Sequence, residues 1–167
     1  MRRIVCDTGP LLHLREAGCL EILREAGEIK IPPTVRAELI NRDSFWSQNM
    51  PDWVEVGLLE PRFRGVAAQW LRAGLLDPGE AEALSLAAQL KADWLLTDDA
   101  AARLIAQQQG LEVHGSLGVI LWAAATGQFQ RFEAEKALDS LFQSSLWLTS
   151  QVRKQARAAL RQIFSTP

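Results

Sequence analysis

Five short apolar runs, each leading into a sequence that can start a helix, constrain this chain more than any other feature. Arg3 to Cys6, Glu28 to Ile31, Trp53 to Leu58, Ala92 to Thr97 and Leu111 to Val113 are too short for helices and read as strands. Helical patterns lie between them: Pro10 to about Ala26, a Pro32-Pro33 start running to about Asn41, Phe63 to Leu75, Asp77 through Leu90, and Asp98 to Gln109, closed by Gly110. Such alternation predicts an α/β fold with a central parallel sheet and helices on both of its faces. After Val113 the pattern is helical only, at Ser116 to Thr126, Phe129 to Phe142 and Thr149 to Phe164. The helices from about residue 129 read as a C-terminal extension of one domain spanning 1–167, since no repeat, linker or low-complexity stretch divides it. The polar stretch Arg42 to Asp52 reads as a loop. Trp94, Trp122 and Trp147 sit in apolar periodic surroundings and are expected in the core, whereas Trp46 and Trp53 flank the polar loop and are expected at an interface or lid.

A formal charge of −2 leaves no broad basic field, so a nucleic-acid partner would have to be met by a local patch or a metal. The two cysteines, Cys6 and Cys19, make no disulfide framework, and with His13 and His114 they show no zinc spacing. The first residues lack the apolar stretch and cleavage site of a signal peptide, and Leu117 to Ala125 is too short to span a bilayer. A cytoplasmic protein with no membrane association is therefore expected.

The acids carry the chemistry. Asp7 directly follows the first strand and on its own reads as a helix N-cap. Glu38 lies in the first turns of the Pro33 helix, where negative charge suits the macrodipole. Asp77-Pro78-Gly79-Glu80 fits a capping box with proline at the first helical position. Asp98 and Asp99 follow the fourth strand, and two aspartates are more than one cap requires. In an open parallel sheet, ligands bind outside the carboxyl ends of the strands. Carboxylates gathered there repel one another unless a cation sits among them, and hard oxygen donors point to magnesium or manganese.

Taken together, the stretches "CDTGPLLHL", "LEILRE", "IPPTVRAEL", "DPGEAEALSLA", "ADWLLTDDAAAR", "HGSLGVILWA" and "FQSSLWLTSQV" run in order over nearly the whole chain. They resemble the PIN domain ribonucleases, and more narrowly the DUF3368 branch of PIN-like proteins, often described as toxin-type nucleases of the VapC kind. The resemblance implies a metal-dependent endoribonuclease with Mg²⁺ or Mn²⁺ in an acidic pocket, an RNA substrate, a small antitoxin partner and a homodimer. Carried over by position, the acids are Asp7, Glu38, Glu80 and Asp98 or Asp99. Asp7, Glu80 and Asp98 or Asp99 would ligate metal, and Glu38 would complete the shell or take a proton from water. The third acid is usually aspartate in typical PIN domains and commonly glutamate in this branch. The branch often has a small polar residue where Asp7 stands, so Asp7 favours an intact site. Counting from Thr97, the Thr-x-Asp pattern selects Asp99; counting from the preceding helix selects Asp98, and both stay open.

Thr8 is the hydroxyl neighbour that would steady Asp7 or ligate through water. Candidate phosphate contacts are Arg42, Arg62, Arg64 and Arg103, with Arg62-Phe63-Arg64 the best placed in sequence, and Ser116 a further one. No histidine is assigned as a base: His13 lies within a helix, and His114, ending the last strand, stays open. A phosphotransfer domain built on Asp7 fits less well, because Gly9 stands where a dehalogenase-type site needs a second aspartate and the acid pair comes late, at Asp98-Asp99. A PIN-like binding or protein-interaction module that keeps the acids without catalysis is the other alternative.

Overall fold

Strand–helix alternation runs to residue 114 in the structure, a computed structural model that describes residues 1–166. The strands β1 (Arg3–Cys6), β2 (Glu28–Ile31), β3 (Val54–Val56), β4 (Trp94–Leu96) and β5 (Glu112–His114) form an all-parallel sheet in the order β3-β2-β1-β4-β5. Helices α1 (Thr8–Glu16) and α2 (Ile22–Ala26) follow β1, and α3 (Pro33–Arg42) and α4 (Phe45–Asn49) follow β2. Next come α5 (Pro61–Arg72) and α6 (Pro78–Leu90) after β3, and α7 (Ala100–Gln108) after β4. The chain ends with α8 (Ser116–Ala125), α9 (Arg131–Phe142) and α10 (Ser150–Ser165). None of the described helices is long and apolar enough to cross a membrane.

Successive residues of a strand point to opposite faces, and the core divides accordingly. Ile4 and Cys6, with Ile29, Ile31, Trp94 and Leu96, pack on one face against Leu11 and Leu14 of α1, Leu39 of α3 and Ile120 of α8. Val5 and Leu95 point the other way, into a second cluster with Leu84 and Leu86 of α6 and Ala102 and Ala106 of α7. Central strands covered on both sides need continuous apolar runs, which explains why β1 and β4 read as nearly all hydrophobic. A third cluster, with Leu138, Phe142 and Leu160, joins α8, α9 and α10.

The sheet topology positions the site. From β1 the chain steps to β2 on one side and later returns to β4 on the other, so the strand order reverses between β1 and β4. The carboxyl ends of two such strands splay their following loops apart and leave a crevice. Cys6 pairs with Leu96, and the Asp7 N–H donates to the Leu96 carbonyl at 2.9 Å, so the next residues along, Asp7 and Thr97, meet at that crevice.

Four local features differ from the sequence expectations. The helix expected over Pro10 to Ala26 is two helices, broken at Gly18, whose φ of 73° lies in the left-handed region. There Gly18 N–H donates to the Arg15 carbonyl and Cys19 N–H to the Leu14 carbonyl, both at 2.9 Å, a Schellman closure of α1. The expected loop Arg42 to Asp52 contains α4, because Trp46 is fully buried in the first cluster and Phe45 packs edge-on against it at 5.5 Å. Trp46 is therefore core and no part of a lid, while Trp53 is partly buried against the same cluster. Trp147, expected in the core, is 79% exposed, since its neighbours Leu146 and Leu148 take the packing positions instead.

Candidate active site

Asp7 ends β1 and is only 5% exposed. Its backbone is extended, as an N-cap requires, and its Oδ1 accepts the Thr8 N–H at 2.7 Å, opening α1. Capping uses that one oxygen. Oδ2 accepts the Thr97 hydroxyl at 3.0 Å, and the Thr97 Oγ1 in turn accepts the Asp99 N–H at 3.2 Å. Thr97 thus ties the acid of β1 to the backbone of the loop after β4, which gives the Thr-x-Asp pattern its structural meaning. Burial pushes the Asp7 carboxyl up from 3.8 to about 6 against the pull of these two hydrogen bonds, and the charges of Glu38 and Asp98 add to the rise.

Asp98 and Asp99 divide their work in a way the sequence did not disclose. Asp99 caps α7, accepting the Ala102 N–H at 2.8 Å. Asp98 instead reaches the start of α8, eighteen residues on, where its Oδ1 accepts the Ser116 N–H at 2.7 Å and its Oδ2 the Ser116 hydroxyl at 2.6 Å. A carboxylate at a helix N-terminus is favoured by orphan N–H groups and the helix dipole. Two adjacent aspartates are needed because two helices start here, so the surplus noted in the sequence has a structural cause. Asp98 Oδ2 also lies 2.7 Å from His13 Nδ1.

Glu38 projects from α3 to the same place. Its Oε1 accepts the Gly79 N–H at 3.0 Å, and its Oε2 accepts the Thr8 hydroxyl. A Cβ on Gly79 would come within 2.8 Å of the Glu38 Cδ, so the start of α6 must be glycine for Glu38 to sit there. Gly79→Ala is accordingly expected to swing the Glu38 carboxylate off the Gly79 N–H and the Thr8 hydroxyl, costing about 1–2 kcal/mol in a denaturant titration for the lost hydrogen bonds. Helix propensity alone would favour alanine by about 1 kcal/mol, so the sign of the change separates the clash from propensity. Glu80 turns back to accept the Asp77 N–H at 2.8 Å, the return bond of a capping box. Burial, joined by the charges of Asp99, Asp7 and Asp77, pushes its carboxyl up from 4.5 to about 7.

These groups surround one open cavity of about 580 Å³, with Asp7, Thr8, Glu38, Glu80, Asp98 and Asp99 all on its wall. Arg42 also lines it, as do His13, Asp77 and the segment Ser145-Leu146-Trp147. The other residues expected to touch substrate lie elsewhere. Ser116 is fully buried with its hydroxyl committed to Asp98. Arg103 packs beside Gly115, where a Cβ would approach its Nη1 to 2.8 Å, and it is not on the cavity wall. Arg64 borders a separate hollow with Pro33, Leu58 and Glu82, and Arg62 lies over the Phe63 ring at 5.6 Å. Phe63 itself packs on the second core cluster, which removes it as a stacking surface.

His13 and Trp147 are cavity residues that sequence reasoning missed. For His13 the signal was present: α1 starts at Thr8, and His13 lies one helical turn from Gly9, whose Cβ position is 3.5 Å from the Asp98 Cβ and 3.6 Å from the His13 Cε1.

Among the described residues, no three His, Cys, Asp or Glu side chains stand close enough to hold an ion as they are placed. The acids ring the cavity because each is drawn toward a backbone N–H or hydroxyl at its own edge. Their donor chemistry nevertheless suits a hard divalent cation: carboxylate oxygens dominate, and the raised Asp7 and Glu80 carboxyls mark negative charge short of a counter-ion. Asp7, Glu38, Glu80, Asp98 and Asp99 are the cavity acids that could supply such oxygens.

No curated protein matches the chain in sequence. Residues 3–162 match DUF3368, described as a PIN domain, and PIN domains are generally nucleases. With that match covering almost the entire sheet and its helices, the chain belongs to the DUF3368 family of PIN domains.

Proposed function

We infer that this protein is an endoribonuclease that uses Mg²⁺ or Mn²⁺ to hydrolyse RNA phosphodiester bonds. The observation that carries the reading is Asp7: a buried carboxylate at the switch point of a parallel sheet, facing a cavity ringed by further acids, with its charge unbalanced. A bound divalent ion would offset charge on the scissile phosphate and lower the pKa of a water. Asp7, fixed by the Thr8 N–H and the Thr97 hydroxyl, would be one of the residues that hold that ion. Glu80 and Asp99 each spend one oxygen on a backbone N–H, which holds the side chain and leaves the second oxygen for a ligand. Glu38, set by Gly79 and the Thr8 hydroxyl, accepts the proton of the attacking water. Asp98 acts as a positioning residue, holding α8 and orienting His13.

The roles of toxin paired with a small antitoxin and of homodimer rest on the motif resemblance, and that of cytoplasmic protein on the sequence lacking a signal-peptide pattern and a membrane-length apolar stretch. A second reading, an RNA-binding module without catalysis, draws on the spacing of the acids, no three of which stand together among the described residues. Incubating the protein with a mixed RNA pool and Mn²⁺ separates the two. The nuclease reading expects cleavage that stops with EDTA and in Asp7→Asn. RNA bound but intact under every metal supports the binding module, and cleavage that survives in Asp7→Asn overturns the assignment of the site.

A further inference from the structure

The connector between α9 and α10 crosses the rim of the acidic cavity, and it is firmly held. Glu16 of α1 accepts the Ser145 N–H at 2.6 Å and the Ser145 hydroxyl at 2.7 Å, and the Ser144 hydroxyl donates to the Leu141 carbonyl at 2.6 Å. Leu146 packs on the first core cluster and Leu148 on the third. Between these two anchors Trp147 lines the cavity yet remains 79% exposed, the most exposed aromatic side chain described. A chain pinned on both sides that holds its largest apolar side chain in water, at the mouth of a charged cavity, has a surface ready for a flat partner. Arg42 stands on the same cavity wall and, among the described residues, makes no ion pair with the acids there.

We propose that Trp147 is a base-stacking platform at the rim of the cavity: one unpaired base of the RNA lies on the indole while a neighbouring phosphate meets Arg42. This rests on the nuclease reading and adds to it the residue that holds the RNA at the rim. Aromatic faces bind unpaired bases without sequence preference, whereas a base inside a duplex has no free face to offer. The acid-lined interior repels the RNA backbone, so a cation and a stacking surface at the rim supply the holding contacts. Trp147 is a positioning residue, separate from the acids that do the chemistry.

Binding is read by fluorescence anisotropy of a labelled single strand of about ten nucleotides and of a matched duplex, on the full-length native chain in EDTA so that the RNA stays intact. Adding Trp147→Ala is expected to weaken single-strand binding roughly tenfold, a usual loss for one stacked base, and to leave duplex binding unchanged. Trp147→Phe should restore most of the loss, and Arg42→Ala should lower the slope of log Kd against log salt by about 0.7. Equal single-strand affinity with and without Trp147→Ala overturns the platform while the nuclease reading stands. So does a Trp147→Ala change confined to the protein's sedimentation, which assigns the indole to a protein contact. If the native chain binds neither RNA the platform is overturned, while the nuclease reading stands or falls on the cleavage assay with Mn²⁺.

Discussion

The substitution Asp7→Asn is expected to abolish cleavage and, at the same time, to make the protein more stable. The Asp7 carboxyl rises from 3.8 to about 6 on folding, because ionising it in its buried setting beside Glu38 and Asp98 is unfavourable. Between those two values the folded state binds more protons than the unfolded one, so stability falls as pH climbs from about 4 to about 6 and stays reduced above that. The full cost at neutral pH is about 3 kcal/mol. An asparagine side chain in its place carries no charge, keeps an oxygen for the Thr8 N–H and can pair with the Thr97 hydroxyl. Thermal melts of Asp7→Asn and the native chain should therefore coincide near pH 4 and separate by about 5–10 °C at pH 7, with the variant higher. A variant that melts lower at pH 7 would mean that the hydrogen bonds to the carboxylate outweigh its desolvation.

Removing Asp98 should do the opposite. Alanine there leaves the Ser116 N–H, the Ser116 hydroxyl and His13 Nδ1 without their shared acceptor. Ser116 is wholly buried behind Asp98, so only water entering the space vacated on the cavity wall can meet its hydroxyl. Orphaned buried donors cost about 1–3 kcal/mol each, and the start of α8 loses its cap as well. A loss of about 3–4 kcal/mol is expected from denaturant titration, enough to consume a large share of ordinary domain stability. Two aspartates on one cavity wall thus have stability effects of opposite sign. Asp7 is short of partners for its charge, whereas Asp98 is saturated with them.

That contrast marks where the sequence stopped being informative. The strand ends at Asp7 and Asp98 were legible because apolar runs stop there and acids follow at once. The capping box at Asp77-Pro78-Gly79-Glu80 was legible because it is local, closed within three residues. What Asp98 caps was not, because its partner Ser116 arrives from beyond another helix and strand. Glycine at position 79 looked like a helix-start residue, yet its requirement comes from Glu38, forty-one residues earlier. Arg62 and Arg64 looked well placed beside Phe63, but Phe63 is spent on the core under α5. Trp147 was misread because its apolar neighbours suggested a buried run, and tertiary packing selected only Leu146 and Leu148 from it.

The role of the cavity as a cation site is open to a calorimetric titration with Mn²⁺, run at about pH 5.5, 6.5 and 7.5 in two buffers of different ionisation enthalpy. Carboxyls at about 6 for Asp7 and about 7 for Glu80 must lose their protons for the ion to enter. Binding should tighten as pH rises across this range, release fewer protons per ion at each step upward, and disappear in Asp7→Asn. Manganese bound with equal strength by the native and Asp7→Asn chains, or no binding at the highest pH, would contradict it and leave the acids as helix caps around an unfilled crevice.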